Sequence, residues 1–133
     1  MCEFFEWDQD KYGLDVPRMD EEHRLIVACM NRLHELNEIS ANRSVLAAAL
    51  DELLRATARH FADEELYMQR IGFPDVVKHT LIHQQLFDRL HQFHHQFKAS
   101  GTLTADFFFF LKMWLKSHIC GIDVKYAAHT QAA

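Results

Sequence analysis

The sequence predicts an all-α protein: an antiparallel up-down-up-down four-helix bundle with an extended N-terminal arm. Two features of composition and one of pattern lead there. Apolar residues make up 49% of the 133 residues, enough for one substantial core, and only 4 glycines and 2 prolines are present to break helices. Along four long stretches the apolar residues recur every three or four positions, which is the spacing of one helix face and not the alternation of a strand. The chain reads as a single domain over residues 1–133.

Residues 1–18 form the arm. They carry Phe4, Phe5, Trp7, Tyr12, Leu14 and Val16 but are interrupted by Gly13 and Pro17, so their aromatic rings are expected to cover one side or end of the helical body. The first bundle helix is predicted over about 20–37, with Asp20 as its N-cap. On it His23, Ile26, Val27, Met30 and Leu33 share a face, which aligns a histidine with the core.

The second helix is predicted over about 42–71, with Leu46, Ala49, Leu53, Ala56, His60, Glu64, Tyr67 and Ile71 as its stripe. A carboxylate in phase with leucines is expensive unless a cation neutralises it. Asp63 and Glu65 fall off the stripe and read as solvated. Gly72-Phe73-Pro74 then supplies a helix-ending glycine and a helix-starting proline, so the third helix, about 75–98, returns antiparallel to the second.

Its inward face is His79, His83, Leu86, Leu90, Phe93 and Phe97. His91 and His95 form another HxxxH, but they point away from that stripe, and with His94 they read as surface or end-layer histidines. Ser100-Gly101 ends this helix, and Thr102 or Thr104 caps the fourth, predicted over about 104–127. There Phe107, Leu111, Trp114, Leu115, His118 and Ile122 fall on one side. Asp123 does not: five residues past His118 it sits about 140° around an ideal helix. A turn widened to π form would bring it back, and Gly121 is placed to permit that.

A formal net charge of −5 and the absence of any basic run argue against a nucleic-acid partner. No stretch approaches the roughly 18 apolar residues of a membrane span, and the start lacks the basic and apolar regions of a signal peptide. The expected location is the cytoplasm. Cys2, Cys29 and Cys120 show no CxxC spacing, so neither a disulfide framework nor a zinc ribbon is indicated. The departure from ordinary composition is the 10 histidines.

His60-x-x-x-Glu64 and His79-x-x-x-His83 each place two ligand-type side chains on one helix face, about 5–6 Å apart at Cβ. Taken singly, such a pair has a plainer reading as a chance surface pair, and a lone inward histidine as a hydrogen-bonded core residue. Four helices agreeing on one region is different. His23, His60, Glu64, His79, His83, His118 and Asp123 together supply five imidazoles and two carboxylates, a set able to complete a two-metal site in a bundle core. These ligand types suit Fe, Zn, Cu and Mn, and no thiolate is in phase with them.

The segments MDEEH (19–23), HFADEE (60–65), HTLIH (79–83) and HICGID (118–123), in this order and one per helix, resemble the hemerythrin pattern, in particular its single-domain bacterial form. The likeness covers essentially the whole chain. It implies a cofactor of two iron ions, Fe2+ or Fe3+, bridged by Glu64, Asp123 and an oxide or hydroxide. One iron is then held by His79, His83 and His118, and the other by His23 and His60, which keeps an open position for dioxygen. Ile26, Phe61, Trp114, Leu115 and Ile119 match the family's apolar oxygen pocket, and they are also ordinary core residues.

The function implied is reversible binding and carriage or storage of dioxygen by a non-enzymatic protein, with an oxygen-consuming enzyme as the recipient. The four helices can already bury their stripes and leave no additional long apolar face, so a monomer is expected. The alternatives are a di-iron redox enzyme acting on peroxide, nitric oxide or ferrous iron, and an oxygen sensor. Di-iron enzymes of the ferritin-like type use four Glu and two His, whose extra negative charge favours higher iron oxidation states. Five neutral imidazoles point instead to a carrier. No methyl-accepting, kinase or cyclase segment occurs in these residues, which weighs against a sensor.

Overall fold

The computed structural model describes residues 3–132, and its regular structure is helical throughout. Helix α1 (Gln9–Tyr12) is a single turn inside the arm, and α2 (Pro17–Glu38), α3 (Arg43–Arg70), α4 (Val76–Ser100) and α5 (Ala105–His118) build the bundle. A five-residue π-helix, Ile119–Asp123, leads from α5 into α6 (Val124–Ala132) and completes the fourth bundle element. The late part of α3 meets the early parts of α2 and α4, and the end of α5 meets the start of α4, so the four run up-down-up-down. Among the described residues no helix is long and apolar enough to cross a membrane.

Helix α2 starts at Pro17, three residues before the expected Asp20. Proline suits this first position because its fixed φ is helical and its missing N–H would have had no partner there. Asp20 therefore does not cap the helix. It is buried, and its two oxygens accept from Leu14 N at 2.9 Å and Gln9 Nε2 at 3.2 Å, which ties the arm to α2. A second tie lies at Phe5, whose N–H donates to Asn31 Oδ1 at 2.8 Å while Asn31 Nδ2 donates to Phe5 O at 2.9 Å. Phe5, Tyr12, Leu14 and Val16 are buried as a result, so the arm covers the body as its aromatic content suggested.

Asn42 caps α3 by accepting from Val45 N, and Thr104, not Thr102, caps α5 by accepting from Phe107 N. Gly72 and Gly101 take φ of +67° and +74°, the left-handed conformation that closes α3 and α4. The first helical residue of α4 is Val76, with Pro74 in the preceding turn. Of the four consecutive phenylalanines, Phe107 and Phe108 are buried, Phe110 is half-buried and Phe109 is exposed, as a helix requires. The interior of the bundle half away from His60 and His79 is apolar. Met30, Leu33, Leu50, Leu53, Leu90 and Leu111 are almost fully buried there, each contributing about 1.5–3 kcal/mol. That burial offsets the cost of enclosing a polar cluster in the other half.

Candidate metal centre

All seven expected ligand residues are buried in one cluster: His23, His60, Glu64, His79, His83, His118 and Asp123 are each 0–3% exposed. Helix phase delivers six of them, and the π-helix delivers the seventh. Its extra residue turns Asp123 onto the face of His118, and the two side chains meet at 2.9 Å. A Cβ at Gly121 would touch nothing within 4 Å, so glycine is not needed there for space.

The carboxylates divide their oxygens between two sets of imidazoles. Glu64 Oε1 lies 3.1 Å from His79 Nε2 and 2.8 Å from His83 Nε2, while Oε2 lies 3.2 Å from His60 Nε2 and 3.8 Å from His23 Nε2. Asp123 Oδ1 faces His79 and His118 at 3.1 and 2.9 Å, and Oδ2 faces His23 at 3.1 Å. Two groups of candidate ligands follow, Glu64–His79–His83–His118–Asp123 and His23–His60–Glu64–Asp123, which share the two carboxylates.

Many of these atoms are close without being aligned. Both oxygens of Asp123, both nitrogens of His23 and Nε2 of His60 are buried with no hydrogen-bond partner among the described residues. An unsatisfied buried polar atom costs about 1–3 kcal/mol. Apart from His23 Nδ1, which lies on the far side of its ring, these atoms gather within 4.8 Å of one another in the two groups, as ligands of a cation do, so the donor set fits a pair of transition-metal ions.

Three residues outside the expected set hold the cluster in place. Glu22 Oε1 lies 2.7 Å from His60 Nδ1, and Glu65 Oε2 lies 2.9 Å from His83 Nδ1. Glu65 is thus a partner of a cluster histidine and not a solvated surface group. A hydrogen bond at Nδ1 fixes the tautomer that presents Nε2 inward. Tyr126, fully buried, donates from its hydroxyl to Glu64 Oε2 at 2.7 Å. Asp63 remains a surface partner of Arg18, at 3.2 Å.

The charges follow from this geometry. Burial alone would lower the pKa of His60, but Glu64 and Glu22 outweigh it and push it up to about 10. His118 is likewise lowered by burial and raised by Asp123 and Glu64, with the net at about 9. Burial favours protonated Glu64, yet His60, His118 and His79 hold it well below the usual carboxylate range. For Asp123, burial and the charge of Glu64 oppose ionisation, while His118 and His23 prevail and keep it ionised. Burial and then Glu64 push the Tyr126 hydroxyl far up, so the proton stays on the phenol oxygen as donor.

The five apolar residues expected at the pocket are also buried, with Ile26 and Leu115 at 0% exposure. Phe61 stacks on the His83 ring at 3.9 Å and 8°, and Trp114 meets Phe61 edge-on at 5.7 Å. Trp7 of the arm reaches to 6.3 Å from His23. The rival pair, His91 and His95, lies outside the cluster and is exposed, and His94 sits 3.3 Å from Asp51 on α3.

Glu22, Glu65 and Tyr126 carried little signal in the sequence. Tyr126 follows the π-helix, where an ideal helical count loses its phase. Glu22 and Glu65 flank cluster residues at the border of the stripe, where a carboxylate looks the same whether it faces water or an imidazole edge.

Residues 14–129 match the Hemerythrin HHE cation binding domain. The chain is 32% identical over 127 residues to a bacteriohemerythrin of Stenotrophomonas maltophilia, covering 95% of this chain and 81% of that protein. It is 33% identical over 120 residues to a myohemerythrin of Riftia pachyptila, covering 90% and 88%. A crystal structure of wild-type hemerythrin superposes with a TM-score of 0.86 at 29% identity, over 93% of this chain and 95% of that one. A hemerythrin mutant gives 0.88 at 27% identity, over 96% and 98%. With the profile spanning most of the sequence and the same bundle beneath it, this chain belongs to the hemerythrin HHE cation-binding family.

Proposed function

We propose that this chain binds dioxygen reversibly, for carriage or storage, at two iron ions held by the buried cluster. The observation that carries the reading is the division of Glu64 and Asp123 between two histidine sets of unequal size. His79, His83 and His118 would hold one iron, His23 and His60 the other, with both carboxylates shared. The side with two histidines has one protein ligand fewer, which is what a site for a small exchangeable ligand needs. When bound, an iron pair supplies electrons to dioxygen and recovers them on its release.

The chain's own residues orient, steady and dry that site. His60 and His83 donate from Nδ1 to Glu22 and Glu65, which keeps each Nε2 directed inward. Tyr126 keeps its proton and donates it to Glu64 Oε2, fixing the shared carboxylate from behind. Phe61, Trp114, Leu115, Ile26 and Ile119 exclude water, on which reversibility depends. Five imidazoles in place of extra carboxylates keep the ligand charge low and favour a carrier over an oxidising enzyme. The same reading has the chain act as a monomer in the cytoplasm and pass oxygen to an oxygen-consuming enzyme.

The test is the absorption spectrum of iron-loaded, reduced protein under nitrogen, then air, then nitrogen, with iron measured on the same sample. Two irons per chain and a visible band that appears in air and is lost again under nitrogen are expected. One iron or none contradicts the two-metal centre. Continuous consumption of a reductant in air contradicts the carrier.

A further inference from the structure

His60 and His79 are buried in the cluster, yet each also lines a hollow at the surface. The hollow at His60 lies between α2 and α3 and measures about 870 Å3, whereas the one at His79, beside the start of α4, measures about 40 Å3. The smaller hollow has Lys78 and Lys125 against Asp75, and its remaining wall is Phe73, Ile82 and Ile122. It offers a cation neither room nor net negative charge.

At the larger hollow, oxygen and nitrogen donors run without a break from water to the centre. Glu22, 17% exposed, supplies the middle of the run: Oε1 lies 2.7 Å from His60 Nδ1, and Oε2 lies 3.7 Å from Arg18 Nε. On the inner side His60 Nε2 is 3.2 Å from Oε2 of Glu64, the shared carboxylate. Glu65 makes a similar contact with His83 at 2.9 Å, but Phe61 is stacked on that ring at 3.9 Å and 8° and holds it against turning. His60 meets Phe61 only at 6.1 Å and 48°.

Arg18 closes the mouth of this hollow. Its guanidinium reaches from α2 to Asp63 on α3 at 3.2 Å and sits beside Glu22, so one cation already stands between two carboxylates. The side chain is 64% exposed, and an exposed ion pair contributes so little that it opens readily.

Resting on the reading of the cluster as an iron centre, we propose that Fe2+ enters and leaves it through the hollow between α2 and α3, with Arg18 as the latch. When Arg18 swings into water, Glu22 and Asp63 receive the cation in its place, and His60 hands it inward by turning its ring from Glu22 toward Glu64. The mouth is a passage and not a resting site, because Arg18 and the metal compete for the same two carboxylates.

The test follows iron in both directions in the full chain under nitrogen: chelator-driven release from the loaded, reduced protein, and refilling of the depleted protein by Fe2+, with iron counted at saturation. Arg18→Ala should speed both about two- to fivefold, the span that loss of an exposed ion pair allows. Arg18→Glu, which adds a carboxylate, should speed both further, and Arg18→Lys should fall between wild type and Arg18→Ala. Iron at saturation should not change, because a latch alters the rate in each direction by the same factor. Lys125→Ala, at the smaller hollow, should match wild type. Faster release without faster refilling would mean that Arg18 only steadies the fold, and would overturn the proposal. So would rates unmoved across the Arg18 series, or acceleration by Lys125→Ala as large as by Arg18→Ala. A chain that takes up no iron contradicts the buried centre and the passage with it, whereas full iron with unmoved rates contradicts the passage alone.

Discussion

Tyr126→Phe removes one hydroxyl and nothing else from the buried half of the bundle. The ring keeps its packing, 5.8 Å from His79 and 5.7 Å from Tyr67, so no cavity opens. What is lost is the 2.7 Å hydrogen bond to Glu64 Oε2, made where both residues are 0% exposed and water cannot substitute. A hydrogen bond to a charged group contributes about 1.5–3 kcal/mol. For a chain of this length that is a fall of roughly 5–15 °C in the melting temperature of the metal-free protein. In the iron-loaded protein the same change should weaken metal retention about 10–100-fold, the usual effect of losing a partner behind a ligand. Tyr67→Phe is the control. Its hydroxyl is half-buried and bonded to Thr130, so its loss should cost about 1 kcal/mol or less. Melting curves and chelator-driven iron release compare the two. Equal effects in both would refute the claim that Tyr126 supports the shared carboxylate.

Three further outcomes are expected. Leu115→Ala, at a fully buried site, should cost about 2.7–5 kcal/mol of stability and admit water; decay of the oxygenated spectrum should quicken about tenfold, which requires only about 1.4 kcal/mol, and unchanged decay would mean that Leu115 does not guard the site. Glu64→Ala and Asp123→Ala should each lose the paired centre, whereas His91→Ala should retain full iron content and the same oxygen spectrum; equal iron in all three would contradict the shared-carboxylate arrangement. In the metal-free protein His60 and His118 have pKa values raised to about 10 and 9, so their stabilisation is complete below about 6.5 and is lost as pH rises through 9–10. Glu64 and Asp123 are depressed, so theirs is present above about 4.5 and lost on acidification. Denaturation across pH should show greatest stability between these limits, and a rise from pH 6.5 to 10 would contradict it.

Where the helices run in phase, the site was legible in the sequence. His60, Glu64, His79 and His83 lie on the same stripes as leucines and phenylalanines, and burial of those stripes carries these side chains inward with them. Asp123 was legible by its misfit, since a carboxylate out of phase with His118 requires the widened turn that the structure contains. Helix phase says less about function at a boundary. Asp20 resembles an N-cap because a carboxylate before an apolar run looks the same when it ties down an arm, and only the backbone shows Leu14 N as its partner. Glu22 and Glu65 are distinguished from surface acids by ring orientation, a tertiary property. Tyr126 is reached only by counting through the π-helix.

Mössbauer spectroscopy of protein loaded with 57Fe, reduced and then exposed to air, tests the central claim most directly. The proposed reading, in which sets of three and two histidines share two carboxylates, predicts two irons per chain, present in equal amounts and distinguishable once dioxygen is bound. A single uncoupled iron environment, or iron that survives unaltered in Asp123→Ala, would contradict it.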